Sequence, residues 1–176
     1  VEARALVRSE PAAADVVQPA IGGRDLLHTV AVDTWVIDLE DDEAGTAWTR
    51  YPRTMTHLEK SALPPRSERA AEQRDKNAEV LARNPNARVN VHHLNFAERW
   101  GRLSYRRADL IERLRGLDRY VALTRTTSFA RGPIFTFVDG AFRPTDSCVA
   151  FPFDDDYTLG VLQSAAHAAW YRERAT

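Results

Sequence analysis

Several side chains in the sequence are of types that bind metal ions, transfer protons or act as nucleophiles. They are the consecutive aspartates Asp154, Asp155 and Asp156, the histidines His57, His92 and His93, the group Asp38, Glu59 and Lys60, and the lone thiol of Cys148. Such groups form an active site or a metal centre only at particular spacings, so the spacing decides what each set can do.

The three aspartates directly precede a segment in which apolar residues such as Leu159, Leu162 and Ala166 recur at helical spacing. A carboxylate at a helix start accepts unsatisfied amide protons of the first turn, and the helix dipole favours negative charge there. The nearest further metal ligand, His167, lies three turns along the predicted helix, too far away to share an ion. The pattern therefore favours a helix start over a metal or acid–base site.

The other sets also lack the spacing that catalysis requires. His92 and His93 come with neither a cysteine pair nor a His-Glu-x-x-His pattern, and Glu59-Lys60 is not the Glu-x-Lys of a nuclease site. Cys148 lies in an apolar predicted strand, where a thiolate is disfavoured. Gly22-Gly23 lacks the Gly-Lys-Ser/Thr ending of a phosphate-binding loop. The sequence does not predict catalysis by this chain.

The charges are strongly segregated along the sequence. The formal net charge is -1, yet from Arg50 to Arg131 there are 18 Lys and Arg against 9 Asp and Glu, and the flanks carry 6 against 16. Arginine supplies 22 of the 24 basic residues, and its planar guanidinium suits phosphates and guanine edges better than lysine does. This basic block is compatible with DNA binding, and a solvated charged face is the alternative.

Composition indicates one folded domain over residues 1–176. With 44% hydrophobic and 28% charged residues in 176, the chain is long enough to bury a core. The first residue is Val1, so we expect an excised piece of a longer protein. No apolar run predicts a membrane span or a signal peptide, and the lone cysteine fits a reducing cytoplasm.

The pattern of residues predicts an α+β fold. Strands are predicted at residues 33–39, 119–124, 134–138 and 148–153, where strand-forming apolar residues alternate with smaller or polar ones. Helices are predicted at residues 45–51, 67–83, 107–115 and 156–173, the second after Pro64 and Pro65 and the third ending at Gly116. Asp139-Gly140 predicts a hairpin turn. We expect a mainly antiparallel sheet with flanking helices.

The predicted loop from Arg125 to Arg131 lies between two of these strands. It combines two arginines, three hydroxyls and Phe129, which are the side chains that contact phosphates and base edges. An ordinary polar hairpin loop is the alternative.

Several short motifs follow one another in a characteristic order along the chain. They are Gly22-Gly23-Arg24-Asp25, Trp35-Val36-Ile37-Asp38, Arg74-Asp75-Lys76-Asn77, Asp118-Arg119-Tyr120-Val121, Thr124-Arg125-Thr126-Thr127, and Phe153-Asp154-Asp155-Asp156-Tyr157 followed by Gly160-Val161-Leu162. With them the chain resembles the C-terminal target-recognition region of MmeI-like and related type IIG or IIL restriction-modification methyltransferases. The resemblance covers nearly the whole chain, although residues 84–96 look like an insertion and Thr124 replaces a usual proline.

The resemblance implies a parent enzyme that transfers a methyl group from S-adenosylmethionine to the exocyclic amine of adenine in DNA. The Asn-Pro-Pro-Tyr and glycine-rich cofactor motifs of such enzymes are missing, since Asn84-Pro85-Asn86-Ala87 lacks the stacking aromatic. We expect these motifs and the cofactor in a methyltransferase domain N-terminal to Val1, connected through residues 1–30. The parent would belong to a restriction-modification or phage-defence system.

The resemblance also shifts the interpretation of the loop towards DNA reading. Contacts to base edges are expected from Arg125, Thr126, Thr127, Ser128 and Arg131. Contacts to phosphates are expected from Arg24, Arg74, Lys76, Arg106 and Arg107. The expected partners are double-stranded DNA and the N-terminal methyltransferase domain. The alternatives are a protein-interaction module that docks an acidic partner subunit of a defence complex, and an independent metal-dependent nuclease.

Overall fold

The structure is a computed structural model, which describes residues 2–27, 33–39, 44–103, 106–126 and 132–174. The chain divides into two compact units. The first unit comprises Val1–Val17 and Ile37–Arg106, and the second comprises Gln18–Val36 and Arg107–Thr176. The prediction of one domain over residues 1–176, with residues 1–30 as a connection, stays a prediction.

Helices and short strands alternate along the chain. The helices are α1 (Glu2–Ser9), α2 (Gly23–Leu27), α3 (Ala44–Arg50), α4 (Pro52–Ser61), α5 (Leu63–Arg83), α6 (His92–Glu98), α7 (Ala108–Leu114), α8 (Asp156–Leu162) and α9 (Ala165–Arg174), with a 3-10 helix at Pro11–Asp15. The strands are β1 (Val17–Ile21), β2 (Trp35–Ile37), β3 (Arg119–Thr124), β4 (Thr136–Asp139), β5 (Arg143–Pro144) and β6 (Cys148–Phe151). These elements confirm the predicted α+β fold class. No helix in the described ranges is both long enough and apolar enough to cross a membrane.

In the first unit, side chains from distant parts of the sequence hold the helix ends. The buried Glu10 carboxylate accepts hydrogen bonds from the amides of Arg53 and Thr54 at 2.9 Å and from the Thr54 hydroxyl at 2.6 Å, at the start of α4. Burial acts to raise the pKa of Glu10, but the Thr54 hydroxyl and the two amides outweigh it, so the pKa lies below its ordinary value. Glu10 is therefore an ionised cap for α4.

Helix α6 is held at both ends by side chains of α5. Gln73 Oε1 accepts from the amides of His93 at 2.8 Å and Leu94 at 3.3 Å. The Arg66 guanidinium donates to the Arg102 carbonyl at 2.9 Å and lies 4.1 Å from the centre of the Phe96 ring. The end of the segment that looked like an insertion, residues 92–96 in α6, is thus packed on α5.

The second unit is built on an antiparallel sheet of strand order β4-β3-β6. Tyr120 of β3 pairs with Val138 of β4, and Ala122 pairs with Ala150 of β6. One buried cluster of its core comprises Ile21, Leu114, Tyr120, Ala122 and Val138. A second sheet has the order β2-β1-β5, and its β1–β5 pair is parallel.

The hairpin predicted at Asp139-Gly140 is wrong, although the turn itself forms. The next strand, β5, pairs with β1 instead of β4. The Gly140 amide donates to the Asp118 carbonyl at 2.8 Å, and a Cβ at Gly140 would overlap the Leu117 carbonyl. Glycine is required at position 140 because the backbone of Leu117 approaches so closely. Strand β5 also ends in Pro144, which has no amide to donate to a neighbouring strand.

Two helices differ from their predicted bounds, and the hydrogen bonding of backbone amides at their starts explains both differences. Helix α5 begins at Leu63, with Pro64 and Pro65 in its first turn, where amides have no partner within the helix. The helix predicted at residues 156–173 is two helices, α8 and α9. Between them the Ser164 hydroxyl accepts from the His167 amide at 3.1 Å, which caps the start of α9.

Candidate nucleic-acid interface

The described part of the predicted DNA-reading loop is its beginning, directly after β3. Arg125 and Thr126 are exposed there, and the Thr124 hydroxyl donates to the Thr126 carbonyl at 3.0 Å. Thr127, Ser128 and Arg131 lie outside the described residues. The backbone of Arg125 is held in place by a hydrogen bond, which its amide donates to the Ser147 carbonyl at 2.8 Å.

Residues 144–147 comprise the end of β5 and the turn before β6, and are here called the hub turn. The hub turn joins three segments of the second unit. The Thr145 amide donates to the Ile21 carbonyl at the end of β1, at 2.9 Å. The Ser147 hydroxyl accepts from the Gly23 amide at 2.9 Å, and its carbonyl accepts from Arg125. The end of β1, the start of α2 and the end of β3 are therefore bonded to one short turn.

The glycine pair before Arg24 allows this close approach. A Cβ at Gly23 would lie 2.8 Å from the Ser147 carbonyl oxygen and 3.5 Å from the Thr124 side chain. The Gly22 amide donates to the Asp25 carboxylate at 2.7 Å, which fixes the start of α2. Arg24 follows and is exposed. The structure thus brings the backbone segments carrying Arg24 and Arg125 to the same turn.

Arg107 reaches the same turn from the start of α7. Its Nη2 donates to the carbonyls of Pro144 and Thr145, the latter at 3.0 Å. Arg106, in the first unit, donates from Nε to both carboxylate oxygens of the buried Asp38 at 3.1 Å. Both arginines thus have partners within the protein, and their contact with phosphates stays a prediction.

Arg74 and Lys76 are exposed on α5 of the first unit. Contact of these two side chains with phosphates also stays a prediction.

The carboxylates of Asp155 and Asp156 have partners within the protein. Asp155 accepts from the Thr158 amide and hydroxyl, both at 2.7 Å, and these hydrogen bonds hold the pKa of Asp155 below its ordinary value. This confirms the predicted helix start. Asp156 pairs with Arg119 at 3.0 Å, and burial raises the pKa of the Cys148 thiol. Among the residues that the structure describes, no three His, Cys, Asp or Glu side chains are placed to hold a metal ion.

The hub turn is the feature that sequence reasoning missed. Its residues Pro144-Thr145-Asp146-Ser147 are of the types that form turns, so the existence of a turn could have been predicted. Its bonds to Ile21, Gly23 and Arg125 join residues far apart in the sequence, and no local pattern encodes them.

No profile of a known protein family and no curated protein sequence matches the chain. A solved structure with a similar fold is that of the type IIL restriction-modification enzyme MmeI in complex with DNA. The TM-score is 0.59 at 14% sequence identity, over 96% of this chain and 19% of that enzyme. The chain therefore spans a small part of the enzyme's length, and at this identity the likeness establishes a shared fold alone.

Proposed function

We propose that this chain is the DNA target-recognition domain of an S-adenosylmethionine-dependent adenine methyltransferase from a restriction-modification or phage-defence system. The observation that carries the proposal is the similarity of fold over 96% of the chain to part of a restriction-modification enzyme solved with DNA. The exposed Arg24 and Arg125 beside the hub turn support it, because exposed guanidinium groups on a fixed backbone are suited to phosphates and base edges.

The chemistry of base modification explains why catalysis and recognition of the DNA sequence would be carried out by separate domains. An enzyme that methylates a base inside a duplex flips that base into its catalytic pocket, so a separate surface reads the remaining bases. In this proposal S-adenosylmethionine and the catalytic residues belong to the methyltransferase domain of the parent protein. The present chain positions and reads the duplex, with Thr126 and Arg125 at the start of the reading loop.

Arg24 and Arg125 are assigned different tasks within the proposed interface. Arg24 follows a backbone held by two glycines and contacts phosphate, which sets the register of the duplex. Arg125 follows β3 at the beginning of the loop and contacts a base edge, with phosphates close by. The hub turn bonds the backbone at both segments, so the backbone that carries the two arginines is held before DNA arrives, and ordering on binding is confined to their side chains.

The proposal is tested by the salt dependence of binding between the purified chain and double-stranded DNA. Each phosphate contact contributes a slope of roughly -0.9 to the logarithm of the binding constant against the logarithm of salt concentration. Arg24→Ala should reduce the magnitude of the slope by about 1. Arg125→Ala should weaken binding at every salt concentration.

Arg115→Ala provides a matched control for these substitutions. Arg115 is an exposed arginine in the segment between α7 and β3. Arg125, by contrast, directly follows the last residue of β3. Its replacement removes the same charge from the same unit and should leave both the slope and the affinity unchanged. A shallow slope for the wild type, insensitive to Arg24 and Arg125, would contradict the proposed function.

A further inference from the structure

Arg107 has an unusual backbone conformation directly before α7. With φ 51° and ψ 49° it lies in the left-handed region, and among the described residues it is the one non-glycine residue with a positive φ. The Cβ of an L-residue makes this region unfavourable. Such a conformation persists when surrounding interactions hold it in place.

The interactions of the Arg107 side chain are with the hub turn. The guanidinium donates to the carbonyls of Pro144 and Thr145, which are consecutive in the chain. A carbonyl oxygen that accepts from a charged donor forms a stronger hydrogen bond than one that accepts from a neutral donor. Arg107 therefore fixes the first half of the turn.

The second half of the turn holds the proposed DNA-contacting segments. Ser147 accepts the amide of Gly23 through its hydroxyl and the amide of Arg125 through its carbonyl, at 2.9 and 2.8 Å. The Thr145 and Ser147 hydroxyl oxygens are 2.8 Å apart, which links the two halves of the turn. A chain of hydrogen bonds thus runs from Arg107 to the segments of Arg24 and Arg125.

We propose that Arg107 is a positioning residue, which fixes the hub turn and through it the backbone placement of Arg24 and Arg125. The phosphate contact predicted for Arg107 is the alternative to this assignment. Its consequence for DNA binding rests on the proposed function, whereas its consequence for the free protein does not.

The first test is amide hydrogen exchange in the free protein. Arg107→Gly removes the side chain but keeps a backbone that favours the left-handed conformation, so the fold is retained. Exchange at the amides of Gly23 and Arg125 should become roughly tenfold faster, as expected when about 1.4 kcal/mol of local stability is lost. The Ala122 amide, in the centre of β3, should be unchanged. Unchanged exchange at Gly23 and Arg125 would overturn the assignment.

Arg107→Lys is the second variant, which keeps the positive charge but replaces Nη2, the nitrogen that donates to both carbonyls, with an ammonium group on a shorter and more flexible side chain. A positioning role predicts exchange at Gly23 and Arg125 between the wild-type and Arg107→Gly rates. If the lysine variant instead exchanged as fast as Arg107→Gly but bound DNA like the wild type, the charge alone would matter and the positioning role would be refuted.

The second test is a double-mutant cycle for binding to a DNA duplex. If Arg107 acts by placing Arg125, Arg107→Gly should weaken binding about tenfold in the wild type and clearly less in the Arg125→Ala background. Independent phosphate contacts would give fold-losses that multiply, which would contradict positioning. If Arg24→Ala and Arg125→Ala had no effect on binding, the proposed function would fail, and hydrogen exchange would still decide the role of Arg107.

Discussion

At the scale of single residues, three polar side chains stabilise helix starts, and one of them, Asp155, belongs to a set that could have suggested a reactive site. Asp155 stabilises the start of α8, Glu10 that of α4 and Gln73 that of α6. Asp155 caps a helix that begins at the next residue, so its role could be predicted from the sequence. Glu10 and Gln73 act on helix starts distant in the sequence, and their roles could be found only from the structure.

Replacement of Asp155 tests the helix-start account. Asp155→Ala removes both hydrogen bonds to Thr158 and should lower the melting temperature by about 2–4 °C, as expected for loss of a cap in a chain of this size. Asp154→Ala is the matched control and should have little effect, because Asp154 accepts from Arg119 through its backbone carbonyl. A variant of Asp155 that kept its melting temperature but lost DNA binding would contradict the account.

Glu10 should make stability depend on pH. Because its pKa is depressed in the folded protein, its contribution is present above the pKa of the unfolded chain and is lost as pH falls through the folded value. Glu10→Gln should lower the free energy of unfolding by about 1–2 kcal/mol at pH 7. The difference from wild type should shrink as pH falls below the ordinary value of 4.5.

Urea unfolding of the wild type and Glu10→Gln at several pH values measures this difference. Glu72→Gln is the control, because it makes the same replacement at an exposed residue of α5. This variant should unfold like the wild type. A difference between the wild type and Glu10→Gln that stayed constant from pH 7 to acid would show that ionised Glu10 is not the cap.

At the scale of elements, local pattern predicted the strands and helices better than their connections. The predicted bounds of β3 are confirmed, and α7 differs from its prediction by one residue at each end. Gly116 follows α7 with φ 84°, as a glycine after a helix predicts. The pairing of β5 with β1 could not be predicted, because Asp139-Gly140 specifies a turn but not which strand the chain meets afterwards.

At Gly140 the backbone of Leu117 lies so close that a side chain should be poorly tolerated. Gly140→Ala would place a Cβ against the Leu117 carbonyl and should destabilise the protein by roughly 2 kcal/mol or more. Gly160→Ala is the control in the same unit, since a Cβ there meets nothing within 4 Å in α8. Gly160→Ala should be neutral or should stabilise the protein by up to about 1 kcal/mol. If thermal unfolding showed equal effects for Gly140→Ala and Gly160→Ala, the explanation would be contradicted.

At the scale of the whole molecule, the basic block seen in the sequence is divided between the two units. By sequence, the first unit carries 14 Lys and Arg against 14 Asp and Glu, and the second carries 10 against 11. Neither unit is basic overall, so net charge does not carry the DNA proposal. The proposal depends instead on where individual arginines are placed, above all Arg24 and Arg125 at the hub turn.

The central claim, recognition of a particular DNA sequence, is tested most directly by selection from a pool of random duplexes. Purified chain should enrich one short sequence over successive rounds, and Arg125→Ala should weaken or change that enrichment. Arg115→Ala should select the same sequence as the wild type. Binding that retained duplexes without enriching any sequence would contradict a target-recognition role and leave only non-specific attraction to phosphates.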